Sequence, residues 1–147
     1  MARFKFRLEA PLRIAQKTLE EEQIILAQEE KKLLQLEEEF QRQQREWEDA
    51  LQGQREASLK SPQDLSLWLH FSQRQLELLR IKKEEVAQQE EVTALQRQKL
   101  IEAHQDKEKL EKLRARQEAE FNLMEQRREQ ALLDEAGQNN FRRRKTL

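Results

Sequence analysis

The chain has 147 residues, 39% of them charged, with two glycines, two prolines, no cysteine and a formal net charge of -1. That inventory rules out a disulfide framework and thiolate metal sites, fits a reducing compartment, and is poor material for a globular core. Disorder competes at such charge content, but the near-neutral balance and the regular recurrence of leucine favour long helices. No apolar run approaches the ~18 residues a membrane span needs. The N-terminus has cations without an apolar stretch behind them, so no secretory signal is expected and the chain reads as cytoplasmic.

Residues 3 to 8 alternate cation and apolar group, Arg-Phe-Lys-Phe-Arg-Leu, which suits an extended basic arm over residues 1–10, or a short helical lead-in where a partner imposes one. Pro11 marks a first helical turn, where its missing N–H costs nothing. From there Leu12, Leu19, Leu26, Leu33, Phe40 and Trp47 recur every seven residues. The companion row is weaker, since Leu8, Ala15 and Leu36 support it while Glu22, Glu29 and Gln43 interrupt it. A seam this narrow fits one partner helix better than burial in a globule. The first helix is expected over residues 11–58, with Gly53 either an αL stop or a tolerated interior glycine.

The next strong breaker is Lys60-Ser61-Pro62-Gln63-Asp64. Ser61 fits an N-cap, Pro62 the first helical position, and Asp64 falls three residues after the cap, so a capping box and a turn at 59–61 are predicted. The second helix, expected over 62–136, carries Leu65, Leu79, Val86 and Leu100 on one row with Ser72 and Thr93 as its polar members. Leu69, Leu76, Ala103 and Leu110 widen the stripe. The architecture predicted is all-α, a long antiparallel two-helix coiled-coil hairpin that sets Phe40 near Leu79 and Leu33 near Val86. A parallel homodimer with only a kink at Ser61-Pro62 is the alternative pairing.

At 1.5 Å per residue the arms measure ~72 Å and ~112 Å, so the second is expected to overhang the first by about 40 Å. That overhang still carries Leu113, Phe121, Met124, Leu132 and Leu133, and apolar residues on an unpaired helix need a partner. The N-terminal arm, with Phe4, Phe6 and Leu8, could cover part of it. Gly137 is expected to cap the helix, leaving a basic tail at 137–147 with Phe141-Arg142-Arg143-Arg144-Lys145. Both basic segments meet at the open end, whereas Glu20 to Asp49 holds eleven acids and four bases.

Chemistry finds little to work with. A two-helix hairpin offers no enclosed pocket for catalysis. His70 and His104 are single and lack metal-site spacing, and the runs Glu20-Glu21-Glu22 and Glu37-Glu38-Glu39 point in several directions and read as a solvated face. No enzyme activity, metal, cofactor or small-molecule substrate is therefore expected. Near the turn, with Leu65, Leu69 and Leu76 facing the first helix, Leu67, Phe71 and Leu78 run along a different face, with Trp68 between the two. That patch either packs around the hairpin tip and against Trp47, or docks a partner through aromatic anchors. At the open end, Phe4, Phe6, Phe121, Met124, Leu133 and Phe141 with Arg3, Lys5, Arg142 and Arg143 form a second candidate surface. The same cations and rings would suit nucleic acid, but the acidic shaft and near-neutral charge argue against it, so no nucleic acid partner is expected.

With these residues in view, the chain resembles the FliJ family, small coiled-coil proteins of the bacterial flagellar export apparatus related to the stalk components of type III secretion. The likeness rests on Phe4-x-Phe6-x-Leu8-Glu9-x-x-Leu12-Arg13 at the start, the aromatic tip around Trp68 and Phe71, and Glu125-Gln126-x-x-Glu129 through Asp134-Glu135-Ala136 into Phe141-x-Arg143 at the close. The resemblance implies a monomeric stalk, peripheral at the inner face of the cell membrane. Its terminal end would sit in the export ATPase ring. Its tip, through Leu67, Trp68, Phe71 and Leu78, would contact the membrane export gate, and the protein would also handle export chaperones.

Overall fold

A computed structural model describes residues 2–146. Helix α1 spans Glu9–Lys60, a 3-10 turn spans Pro62–Asp64, and helix α2 spans Leu65–Thr146. The two helices pack against each other as an α-helical hairpin with no strand among the described residues. Two compact units make up the chain, one of Met1–Leu19 with Ala103–Leu147 and one of Glu20–Glu102.

In the Glu20–Glu102 unit the pairing register can be read from hydrogen bonds. Gln43 meets Gln75, Glu29 meets Gln89 and Glu22 meets Gln96, so each step back along α1 is matched by an equal step forward along α2. Antiparallel pairing requires that relation, and it carries the expected approach of Phe40 to Leu79 and of Leu33 to Val86. Ala50 and Ala57 are buried, and small residues there let the helix backbones come close near the turn. The rest of the seam is more polar than a leucine seam: Ser72, Gln75, Thr93 and Gln96 are buried, Thr93 with no exposed surface at all. Each finds a partner, and among the described residues no buried side-chain N or O atom lacks one, as burial of polar groups demands.

The α2 side of this seam differs from the expected one. Ser72 and Thr93 are buried on it as expected, but Gln75 is buried where Leu76 was expected, Trp68 is half-buried and Leu69 is 39% exposed. The spacing of four and three that joins Leu65, Trp68, Ser72, Gln75 and Leu79 keeps one stripe in register with a single partner helix. Burying Ser72 and Gln75 is compensated by hydrogen bonds from the Ser72 hydroxyl to Gln54 Oε1 at 2.8 Å and from Gln43 Nε2 to Gln75 Oε1 at 2.6 Å.

The turn is also built differently. Ser61 forms no side-chain cap bond; its backbone carbonyl accepts from Asp64 N–H at 2.9 Å, which closes a 3-10 turn with Pro62 at its start. Main-chain pairing therefore does the work expected of a capping box, and α1 runs on to Lys60, past Ser58. Gly53 lies inside α1 with no positive φ, so it is neither a stop nor a turn.

In the other unit, residues 2–19 lie along 103–121. Leu19, Ala103 and Phe6 are buried. Helix α1 begins at Glu9, whose N–H donates to Phe6 O at 3.2 Å, and Leu12 N–H donates to Leu8 O at 3.0 Å, which places Pro11 in the first turn as expected. Glu9 also accepts from Arg114 Nε at 3.1 Å. Gly137 does not end α2, which continues through it to Thr146. One interior glycine costs only about 1 kcal/mol of helix stability, and Arg143, Arg144 and Lys145 in the last turn favour the negative end of the helix dipole.

Candidate docking surfaces

Each unit carries an exposed apolar surface of its own. At the turn, Leu67 is 71% exposed and Phe71 47%. With Asp64 and Trp68 they line a shallow concavity of about 460 Å³. Trp68 is half-buried, and its indole meets the Phe71 ring edge-on with centroids 5.9 Å apart, a favoured arrangement for two rings. What lets the indole lie so close is Gly53. A Cβ built there would fall 2.6 Å from Trp68 Cε3 and Cη2 and closer still to Cζ3. Trp68 packs onto α1 at Gly53, while Leu67 and Phe71 stay in solvent, with Leu78 38% exposed beside them. Asp49, Glu56, Lys60 and Asp64 line the adjoining hollow with Gly53 and Trp68, so its border carries charges of both signs.

Among the described residues of the second surface, the terminal segments separate into two groups. Phe4 is half-buried and packs on Phe121 with centroids 5.7 Å apart, and Phe6 is only 8% exposed. The Phe4–Phe121 contact holds the N-terminal arm to α2, and Phe6 is buried in the same unit. Arg3 and Lys5, on either side of Phe4, are exposed. Farther along α2, Met124, Leu132, Leu133 and Phe141 are each 60% exposed or more. Leu133, Gly137, Phe141 and Arg142 line one open concavity with Asp134 and Gln138. Lys145 Nζ lies 5.0 Å above the Phe141 ring, and Arg142 and Arg143 make contacts of their own. Leu123, 49% exposed, joins this surface as a residue the sequence reading did not single out.

Electrostatics on the hairpin are mostly those of solvated pairs. Lys82 bridges Glu39 at 2.9 Å and Glu85 at 3.2 Å, and the bonds to Glu39 and then Glu85 raise its pKa. The Gln89 amide, followed by Lys32, holds the Glu29 carboxyl below the usual range. Pairs within α2, such as half-buried Lys107 with Glu111 and exposed Lys112 with Glu108, contribute a few tenths of a kcal/mol each. His70 and His104 are exposed on α2, and no group of three His, Cys, Asp or Glu among the described residues could hold a metal ion. No described helix is long and apolar enough to cross a membrane.

Comparison with known proteins gives one match. No curated protein and no solved structure is similar to the chain. The family described as Flagellar FliJ protein matches over residues 4–146. That span takes in the N-terminal arm, both helices, the tip with its aromatic pair and the exposed basic end, so the chain belongs to the flagellar FliJ family.

Proposed function

We propose that the chain is a non-enzymatic stalk of the flagellar type III export apparatus. Its exposed terminal surface sits in the export ATPase ring, and its tip links that ring to the membrane export gate. Family membership supplies the context. The observation that carries the two-contact reading is the presence of two separate apolar surfaces, one at the turn and one flanked by a run of cations. Leu67 and Phe71 lie beside a hollow lined by Asp49, Glu56, Lys60 and Asp64, whereas Leu133 and Phe141 lie near Arg142, Arg143, Arg144 and Lys145. Apolar patches of this kind on a small protein mark contact sites.

On this reading the protein works as a monomer in the cytoplasm, peripheral to the inner face of the membrane, and also meets export chaperones. The ring contact belongs to Met124, Leu133 and Phe141 with the flanking cations. Phe4, Phe6 and Phe121 act by holding the arm that carries Arg3 and Lys5. The gate contact belongs to Leu67, Trp68, Phe71 and Leu78.

Removing residues 126–147 tests the ring contact. Residues 126–145 are exposed throughout, so the shortened chain keeps its hairpin and its Tm. It should lose all stimulation of the export ATPase. Stimulation equal to that of the full chain would remove the terminal segment from the proposal.

A further inference from the structure

The seam of the Glu20–Glu102 unit repeats one bonding pattern three times. Gln96 Nε2 donates to the Glu22 carboxylate and to Glu22 O at 3.3 Å. Gln89 Nε2 donates to Glu29 Oε2 at 2.6 Å and to Glu29 O at 3.2 Å. Gln43 Nε2 donates to Gln75 Oε1 at 2.6 Å and to Gln75 O at 3.1 Å. In each case one amide takes both the side chain and the backbone carbonyl of a single residue across the seam. A side-chain bond alone tolerates some sliding, because both side chains can follow. The added bond to a helix carbonyl ties the amide to a fixed point on the partner backbone.

From this pattern we infer that the three bridging amides lock the hairpin's register and exclude self-pairing. A slide of one heptad in one direction sets Gln96 beside Glu29 but leaves Gln89 facing Leu36 and Gln75 facing Ala50. In the other direction Gln89 meets Glu22, while Gln75 faces Leu36 and Gln43 faces Trp68. Either slide keeps one bridge and buries unpaired amides, which is costly. The seven-residue row discriminates less, because Leu26, Leu33 and Phe40 would meet Leu100, Thr93 and Val86 in one slide and Val86, Leu79 and Ser72 in the other. A parallel dimer fares worse, since its seam positions face their own copies: Glu22 against Glu22, Glu29 against Glu29 and Lys82 against Lys82, like charges at close range. The inference does not depend on the stalk reading and would hold for a hairpin of any function.

The absence of cysteine makes the test clean. Three cysteine pairs report the register: Leu33→Cys with Val86→Cys for the native one, and Leu33→Cys with Thr93→Cys or with Leu79→Cys for the two slides. With the bridges intact, the native pair closes under mild oxidation and either slipped pair closes at most about a tenth as far. Replacing Glu22, Glu29, Gln43, Gln75, Gln89 and Gln96 together by Leu should raise the Tm, let the slipped pairs close to a similar extent as the native one, and give dimers in light scattering. The milder pair Glu29→Leu with Gln89→Leu should lie between the two and covers a six-fold variant that proves insoluble. A leucine-seam variant that stays monomeric with closure confined to the native pair would overturn the inference, as would ready closure of a slipped pair with the bridges intact.

Discussion

Gly53→Ala tests how the tip is built. The new Cβ would stand 2.6 Å from Trp68 Cε3 and Cη2, whereas carbon atoms in contact prefer about 3.5–4.0 Å, so the indole must retreat by about 1 Å or swing away. Two effects oppose each other. Alanine in place of an interior helical glycine stabilises by about 1 kcal/mol, and forcing extra atoms into a packed contact costs about 1–3 kcal/mol. The balance is a destabilisation between about 0 and 2 kcal/mol, a Tm decrease of at most about 8 °C for a chain of this size. The sharper signal is local. With Trp47→Phe in the background, Trp68 is the sole fluorophore, and its emission should shift to the red as the indole gains water. A Tm increase of the size expected from helix propensity, with unchanged emission, would show that the indole does not rest on Gly53 and would refute the reasoning.

Further predictions concern the rest of the hairpin. Phe6→Ala removes a ring that is 8% exposed and should cost about 3 kcal/mol or more, with faster amide exchange at residues 9–12; a loss below about 0.5 kcal/mol would place Phe6 in solvent. Gly137→Ala should stabilise the end of α2 by about 1 kcal/mol, seen as slower exchange at residues 134–141, because nothing lies within 4 Å of the added methyl; destabilisation would mean a left-handed cap at that glycine. The Glu29 pKa is lowered in the folded state, chiefly by the Gln89 amide, so its contribution is present above the unfolded carboxylate value of about 4.3 and is lost as the pH falls through the folded one. Glu29→Gln should flatten the decline in Tm on acidification. Lys82 has the opposite sign. Its pKa is raised by Glu39 and Glu85, so its contribution is present below about 10.4 and fades as the pH rises through the folded value. Lys82→Met should be nearly neutral at pH 7, since part-exposed ion pairs contribute at most about 1 kcal/mol.

Much of the fold was legible because long helices advertise themselves. Leucine every seven residues from Leu12 to Leu33, continued by Phe40 and Trp47, fixes one face of α1, and Pro62 between two such rows fixes a hairpin. Polar residues hid the α2 seam. Gln75 and Leu76 are neighbours, and hydrophobicity alone selects Leu76 for the seam. The buried choice is Gln75, because Gln43 across the gap can satisfy its carbonyl groups. The row Gln75, Lys82, Gln89, Gln96 keeps the same seven-residue interval as the leucines, and pairing it with the interrupting Glu22, Glu29 and Gln43 would have revealed the register. Glycines were hard to place for a related reason: Gly137 read as a cap and Gly53 as either a stop or an interior residue, yet Gly53 makes room for an indole on the facing helix and Gly137 is carried by the helix around it. The candidate surfaces were legible as exposed apolar groups beyond what a two-helix seam needs. Sequence did not separate Phe4, Phe6 and Phe121, which hold the N-terminal arm, from Leu133 and Phe141, which face solvent, because all five are apolar residues near the termini.

The central claim is that two surfaces on one hairpin serve two different partners, and one experiment with two variants measures it directly. Leu67→Ser with Phe71→Ser alters the tip, and Leu133→Ser with Phe141→Ser alters the terminal surface; all four side chains are exposed, so both variants should keep the helical content and Tm of the parent. Stimulation of the export ATPase and affinity for the cytoplasmic part of the export gate are then measured for each. The account predicts that the tip variant stimulates the ATPase normally and binds the gate at least about tenfold more weakly, as loss of a docking anchor requires, while the terminal variant binds the gate normally and fails to stimulate. If either variant loses both activities while staying folded, or neither loses any, the two-surface account is wrong.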